Sequence, residues 1–223
     1  MPVRPDVIVF DVNETLSDMS PMGARFADVG APPELARLWF ASLLRDGFAL
    51  TAAGAKAQFA ILAEGVLRAQ LAGVTLDRDD DAAVEHVLAG MSALTVHPDV
   101  PDGLRRLRRG GSRLVTLTNG AASVADSLLT RAGVRDELEE LLSVEDAPAW
   151  KPAEASYLWA AERCGVNPGD AMLVAVHPWD IDGAARAGMR TAWLDRRGTA
   201  YPSYFIAPEL TATSLTHLAD LLG

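Results

Sequence analysis

The stretch Val7-Ile8-Val9-Phe10-Asp11-Val12-Asn13-Glu14-Thr15 decides the fold of this chain. Its first four residues are all apolar, which is typical of a strand that is buried on both faces of a parallel sheet. Asp11 follows at once, so this strand ends on a carboxylate. Because ligands bind at the carboxyl ends of the strands in open α/β sheets, we expect Asp11 to lie at a ligand-binding edge.

The overall composition limits the classes of protein to consider. The chain has 223 residues, of which 49% are hydrophobic, and this suits one mid-sized α/β domain with a smaller insertion. Its formal net charge of −10 argues against nucleic acid or an anionic membrane surface as the main partner. Cys164 is the single cysteine, so an internal disulfide is excluded. There is no signal-peptide pattern and no apolar run of membrane-spanning length, and we expect a cytoplasmic protein.

The chain changes character twice along its length. Between residues 18 and 97 strand signals disappear, and helical patterns occupy residues 33–45, 56–72 and 78–91. After residue 97 strands and helices alternate, which implies a parallel sheet with right-handed crossovers. The strands of this second part are predicted at residues 114–117, 141–144, 171–176 and 191–194. We therefore predict an α/β core formed by residues 1–17 and 98–223, with an inserted helical cap formed by residues 18–97.

Polar residues follow four of the predicted strands. They are Asp11 to Thr15, Thr118-Asn119, Lys151, and His177 to Asp182. One such residue by itself is more often a turn or helix cap, or a surface lysine. Four together at one edge of a parallel sheet predict an active site.

These four groups resemble the motifs of a known family. Asp11 to Thr15 resembles the DxxxT signature of the haloacid dehalogenase superfamily, and Thr118-Asn119, Lys151-Pro152 and Asp180 resemble its second, third and fourth motifs. Within the superfamily the chain looks most like the L-2-haloacid dehalogenases, because it has Thr118-Asn119-Gly120, Tyr157 and Trp179-Asp180. The resemblance implies a Rossmann-like core with a helical cap, a small carboxylic acid as substrate, and a homodimer as a possible assembly.

The resemblance also implies roles for the catalytic residues. Asp11 is expected to be a nucleophile that forms an ester intermediate and so divides one difficult displacement into two easier steps. Thr15 would hydrogen-bond the Asp11 carboxylate, and Lys151 would keep that carboxylate ionised. Asp180 would orient Lys151 and help to place the hydrolytic water.

A second group of residues is expected to bind the substrate. Thr118 and Asn119 would offer a hydroxyl and an amide to its carboxylate. The other candidates are Asn13, Phe40, Arg45, Tyr157, His177 and Trp179. Trp39, Phe40, Phe59 and Trp179 could line an apolar pocket, or be ordinary core residues.

Several of these positions depart from the dehalogenase pattern. The family usually has Tyr, Gly and Asn where this chain has Asn13, Glu14 and His177. Phe40 stands where the family usually has an arginine for the leaving halide, so the leaving group stays open. Arg45 either replaces that arginine or is a solvated side chain, and His177 either polarises water or is a structural residue of its turn.

Phosphoryl transfer is the main alternative within the superfamily. Phosphatases of this type usually have a second aspartate two residues after the nucleophile, where this chain has Asn13, and asparagine cannot act as a general acid. Val176 replaces a further acid that would bind Mg²⁺, which prefers several oxygen ligands. We therefore predict no required metal and no cofactor. A hydrolase of another 2-substituted acid and a non-catalytic binding protein stay open as further alternatives.

Overall fold

The computed structural model describes residues 4–223, which form two compact units. The larger unit contains residues 4–17 and Thr95–Gly223, and the helical unit contains Asp18–Leu94. The second boundary between the units lies between Leu94 and Thr95. His97 belongs to the larger unit because its backbone N–H donates to the carbonyl of Leu16 and its ring lies 3.0 Å from the carbonyl oxygen of Glu14.

The strands and helices alternate in the larger unit, as the sequence predicts. The strands are β1 (Val7–Phe10), β2 (Ser17–Asp18), β3 (Thr95–Val96), β4 (Arg113–Thr118), β5 (Glu140–Ser143), β6 (Ala171–Ala175), β7 (Arg190–Leu194) and β8 (Leu210–Ala212). The helical unit contains α1 (Met22–Ala27), α2 (Leu35–Ala52), α3 (Phe59–Leu71) and α4 (Asp80–Ala93). The helices of the larger unit are α5 (Val100–Arg109), α6 (Ala122–Arg131), α7 (Glu154–Cys164), α8 (Pro178–Arg186) and α9 (Leu215–Leu222). Each of these helices is too short or too polar to cross a membrane.

The main sheet is parallel and has the strand order β5-β4-β1-β6-β7-β8. The predicted α/β fold with a parallel sheet and a helical insertion is therefore confirmed. From β1 the chain moves to β4 and β5 on one side, and then crosses to β6 on the other side. This reversal places a topological switch point at the carboxyl end of β1, where open α/β sheets bind their ligands.

Apolar burial fixes β1 in the centre of this sheet. All four of its residues are fully buried, and the backbone N–H of Asp11 continues the pairing with the carbonyl of Val174 at 3.0 Å. On the outside of the sheet α5 packs against α9. Gly103 permits this contact, because a Cβ atom at that position would lie 2.4 Å from the Cβ of Leu215.

The helical unit contains α1 to α4, and its interior is centred on Trp39. The indole of Trp39 is fully buried, and its Nε1 donates to the carbonyl of Ala63 at 2.9 Å. Phe40 is also buried, at 6% exposure, whereas Phe59 is half-buried at the start of α3. Helix α2 continues to Ala52, beyond the predicted end at residue 45, and the short helix α1 was not predicted. Gly47 lies buried inside α2.

Candidate active site

Asp11 is the centre of the candidate active site. Its carboxylate is buried at the end of β1 and accepts three hydrogen bonds. Thr15 Oγ1 donates to Oδ2 at 2.6 Å, Lys151 Nζ donates to Oδ1 at 3.0 Å, and His177 Nδ1 donates to Oδ2 at 3.2 Å. Burial by itself would raise the pKa of Asp11, but Lys151, His177 and Thr15 together hold it well below its usual range. Asp11 is therefore an anion at neutral pH.

Thr15 ties the turn after β1 to the turn after β6. Its hydroxyl donates to Asp11 and accepts the backbone N–H of Val176 at 3.1 Å. The side chain is fully buried, so this hydroxyl group links the two turns away from water. This matches the position expected from the DxxxT pattern.

Lys151 joins the two carboxylates of the site. Its ammonium is fully buried and donates to Asp11 at 3.0 Å and to Asp180 at 2.6 Å. Burial by itself would lower the pKa of Lys151, but the charges of the two carboxylates raise it above its usual value. Lys151 is thus a fixed cation beside Asp11.

Asn119 holds the backbone of Lys151 from the neighbouring strand end. Its Oδ1 accepts the Lys151 N–H at 3.0 Å, and its Nδ2 donates to the Lys151 carbonyl at 3.2 Å. The sequence assigned this amide to the substrate carboxylate. In the structure both the oxygen and the nitrogen of the amide bond to the Lys151 backbone, so these contacts position the lysine.

Asp180 and Tyr157 form the buried wall behind Lys151. Tyr157 Oη donates to Asp180 Oδ1 at 2.6 Å, while Lys151 occupies Oδ2. Burial raises the pKa of Asp180 above its usual value, and the charge of Lys151 offsets part of this rise. Burial also raises the pKa of Tyr157 well above its usual value. Gly183 allows this approach, because a Cβ there would lie 2.7 Å from Tyr157 Oη. Tyr157 therefore contacts Asp180, although the sequence assigned it to the substrate.

Thr118 is the last residue of β4, and Asn13 lies in the turn that follows β1. The Thr118 hydroxyl accepts the backbone N–H of Gly120 at 3.0 Å, and the carbonyl of Gly120 accepts the Ser143 hydroxyl at 2.7 Å. Asn13 is half-buried, and its amide nitrogen lies 3.8 Å from the position that a Cβ on Gly120 would take. These contacts bring the second motif next to the turn that carries the nucleophile.

His177 and Glu14 form a pair that the sequence did not predict. His177 Nε2 lies 2.9 Å from Glu14 Oε2, while Nδ1 faces Asp11. Burial by itself would lower the pKa of His177, but the hydrogen bonds and charges of Asp11 and Glu14 raise it to about 9. The same contact outweighs the effect of burial on Glu14 and lowers its pKa. The signal in the sequence was the simultaneous departure of both positions from the family pattern.

Trp179 completes the cluster on the larger unit. Its ring stacks on the imidazole of His177, with 5.1 Å between the ring centroids and an interplanar angle of 25°. The ammonium of Lys151 lies 5.9 Å from the Trp179 ring centroid, which is a cation–π geometry. Trp179 therefore contacts two residues of the candidate site, and its contact with a substrate stays a prediction.

The two remaining candidates belong to the helical unit. Phe40 is buried in α2. The side chain of Arg45 is 69% exposed and pairs with Asp46 at 2.8 Å. Arg45 therefore matches the description of a solvated arginine, and its contact with a substrate stays a prediction.

The donor set does not suit a divalent cation. Lys151 already donates to both Asp11 and Asp180, and Val176 supplies no side-chain oxygen. Within the described part of the chain, no group of three or more His, Cys, Asp or Glu side chains is placed to hold a metal ion. The ammonium thus neutralises the carboxylates to which Mg²⁺ would bind.

Comparison with known proteins shows the family to which the chain belongs. The family model described as haloacid dehalogenase-like hydrolase matches residues 5–188. The chain is 30% identical to (S)-2-haloacid dehalogenase 4A of Burkholderia cepacia, over 96% of this chain and 94% of that protein. It is 29% identical to (S)-2-haloacid dehalogenase of Pseudomonas sp. (strain YL), over 96% of this chain and 93% of that protein. A crystal structure of a dehalogenase with an intermediate complex matches with a TM-score of 0.91 and 27% identity, covering 100% and 99% of the two chains.

Proposed function

The chain belongs to the haloacid dehalogenase-like hydrolases, and on that premise we propose that it hydrolyses small 2-substituted carboxylic acids through an ester on Asp11, with 2-haloacids as the leading substrates. The observation that carries the proposal is the buried ammonium of Lys151, which holds Asp11 as an anion and bridges it to Asp180. The similarity to the (S)-2-haloacid dehalogenases supports the choice of substrate.

The first half-reaction is a displacement at carbon. A carboxylate oxygen of Asp11 attacks C2 of the acid, the bond from C2 to the leaving group breaks, and a halide departs with the electron pair. Lys151 keeps Asp11 ionised before the attack. We expect Thr118 to donate its hydroxyl hydrogen to the substrate carboxylate, and the contact that supports this is the Gly120 N–H, which the same hydroxyl accepts at 3.0 Å.

The second half-reaction is hydrolysis of the ester. Water attacks the carbonyl carbon of Asp11, and the ester bond to the product oxygen breaks. The product is a 2-hydroxy acid whose new oxygen comes from Asp11, and the oxygen of water stays in the regenerated carboxylate. Asp180 and Tyr157 would keep Lys151 in place throughout this cycle.

The test is halide release from 2-chloropropionate and monohaloacetates with a chelator present. The proposal expects turnover that is insensitive to the chelator and absent in Asp11→Asn. No halide release by concentrated wild-type protein would reject the haloacid substrates. Turnover of a phosphate ester that requires Mg²⁺ would replace the proposal with the phosphatase alternative. Tight binding of a small acid that Asp11→Asn leaves unchanged, without turnover, would favour a binding protein.

A second candidate substrate class is favoured by one observation. His177 places a proton donor 3.2 Å from the Asp11 carboxylate. A 2-substituted acid whose leaving group departs as a base, such as an amine or an alkoxide, needs a proton at that point. Turnover of such an acid without turnover of 2-haloacids would select this class, which uses the same ester mechanism.

A further inference from the structure

Glu14, His177 and Asp11 form a continuous hydrogen-bonded array that the two half-reactions described above leave without a role. The imidazole lies between the two carboxylates, with 2.9 Å from Nε2 to Glu14 and 3.2 Å from Nδ1 to Asp11. The His177 side chain is 12% exposed, and the Glu14 side chain is 28% exposed. The array therefore connects the buried nucleophile to the protein surface.

The contacts of the ring determine its charge. An ionised carboxylate can only accept hydrogen bonds, so a ring nitrogen that faces one must carry a hydrogen. Both nitrogens of His177 face carboxylates, and the ring is therefore an imidazolium while Asp11 is ionised. Other groups also face the array: Lys151 lies 3.0 Å from Asp11, Arg197 lies 3.3 Å from Glu14, and the Trp179 ring stacks on the imidazole.

The backbone conformation of Glu14 is a second, independent observation that points to a role for its side chain. Glu14 has φ of 60°, in the left-handed region that favours glycine. The conformation is held by the Ser17 hydroxyl, which accepts the Glu14 N–H at 3.2 Å, and by the His97 ring at the Glu14 carbonyl. A glutamate in this strained position delivers its carboxylate to His177.

We propose that His177, positioned by Glu14, is the general base that takes a proton from the hydrolytic water in the second half-reaction, and that its charge follows the charge of Asp11. This proposal rests on the ester mechanism proposed above. A water that attacks the carbonyl carbon of Asp11 comes within hydrogen-bond reach of Nδ1, which already lies 3.2 Å from that carboxyl group.

The array controls when the base becomes available. Before the reaction, the Asp11 carboxylate holds the proton on His177. Ester formation removes the negative charge of Asp11, so the imidazolium loses one of its two anionic partners and releases its proton to solvent along the partly exposed Glu14 side. Neutral His177 then accepts a proton from water as the oxygen of water bonds to the Asp11 carbonyl carbon.

The protons balance over the cycle. The first half-reaction yields the ester, a halide ion and one proton in solvent. In the second half-reaction water supplies two hydrogens, of which one leaves on the 2-hydroxy acid and the other returns His177 to the imidazolium. The sum is one substrate and one water converted to one hydroxy acid, one halide and one proton.

Asp180 is less suited to this task. Its Oδ2 accepts from Lys151 at 2.6 Å and its Oδ1 accepts from Tyr157 at 2.6 Å. Lys151 and Tyr157 fix the orientation of the fully buried Asp180 carboxylate, whereas Nδ1 of His177 lies 3.2 Å from the Asp11 carboxyl group that the water attacks. His177 gains its lone pair when the ester forms.

The experiment follows the ester on Asp11 in the intact protein by rapid quench and mass measurement, with 2-chloropropionate as the probe. In His177→Asn we expect a stoichiometric burst of chloride, an adduct on the Asp11 peptide, and steady-state turnover reduced by about 10²- to 10⁴-fold. Wild-type protein should show no accumulated adduct. His86→Asn is the matched control, because it removes a His–Asp pair of similar length on the helical unit and should turn over like wild type.

Glu14→Gln tests the positioning role by a readout that a structural defect would not move. The rate of ester hydrolysis should rise with pH to a plateau as His177 loses its proton. In Glu14→Gln the midpoint of that rise should move down by about one pH unit, since the imidazolium loses its second anionic partner. This measurement also decides the proposal if His177→Asn does not fold.

The outcomes separate this inference from the proposed function. Wild-type turnover with equally fast hydrolysis in His177→Asn, or a midpoint that does not move in Glu14→Gln, would overturn the role of His177 and leave the ester mechanism intact. No turnover and no adduct in wild-type protein would instead be a failure of the proposed function itself.

Discussion

Nζ of Lys151 lies 3.0 Å from Oδ1 of Asp11, and the two side chains are 0% and 5% exposed. An ion pair so deeply buried adds little to the free energy of unfolding, because both partners lose their hydration when the protein folds. Removing one partner is costly, because it leaves the other charge buried without a counter-charge. The pair therefore keeps the nucleophile ionised, and the loss of either partner should destabilise the fold.

The first prediction concerns this buried pair. Lys151→Met leaves the carboxylates of Asp11 and Asp180 buried without their shared cation, and should lower the free energy of unfolding by about 3–5 kcal/mol. Urea denaturation measures the loss. Arg68→Ala removes exposed ion pairs with Glu64 and Asp81 and should leave the free energy of unfolding nearly unchanged. Equal effects of the two substitutions would contradict the buried pairing.

The second prediction concerns the nucleophile. Asp11→Asn cannot form the ester, and turnover should fall by about 10⁴-fold or more, as measured by halide release. Asp102→Asn alters an exposed carboxylate in the first turn of α5 and should keep wild-type turnover. Residual turnover within tenfold of wild type in Asp11→Asn would exclude Asp11 as the nucleophile.

The third prediction concerns the hydroxyl behind Asp180. Tyr157→Phe removes the 2.6 Å hydrogen bond to Oδ1, and should lower the free energy of unfolding by about 1.5–3 kcal/mol because the carboxylate is buried. Turnover should also fall, since Asp180 holds Lys151. Thermal and urea unfolding give the first value and halide release the second. Tyr204→Phe is the control, because Tyr204 is 78% exposed, and an equally large effect there would count against the assignment.

The fourth prediction concerns pH. The pKa of His177 is raised from 6.5 to about 9 in the folded protein, so its stabilising contribution is complete below pH 6.5 and is lost as the pH rises through about 9. A change of this size is worth on the order of 3 kcal/mol. The free energy of unfolding of wild type should therefore fall over this range relative to His177→Asn. Parallel curves for the two proteins would show that His177 is not charged in the folded state.

The sequence predicted the central part of the fold, and the strand ends near which the candidate residues lie, because both depend on local patterns. The apolar run of β1 and the polar strand ends mark the sheet and its edge without any knowledge of long-range contacts. The α/β order then places Asp11, Lys151 and Asp180 together. The resemblance to the haloacid dehalogenase superfamily is confirmed by the family model.

The rest depends on contacts between distant parts of the chain. Glu14 and His177 are separated by 163 positions, so no local pattern indicates that their side chains meet. The amide of Asn119 likewise satisfies the Lys151 backbone across 32 positions, which an assignment by motif alone gives to the substrate. Strand β8 was missed because it has three residues at the end of the sheet, where pairing with β7 outweighs a weak local preference.

The most direct test of the central claim is a single-turnover reaction in ¹⁸O-water with enzyme in excess over 2-chloropropionate, followed by mass analysis of the peptides. The ester mechanism predicts one ¹⁸O atom in the peptide that contains Asp11, none in the peptide that contains Asp180, and none in the product. Label in the 2-hydroxy acid with an unlabelled Asp11 peptide would show that water attacks the substrate directly, and would contradict the account.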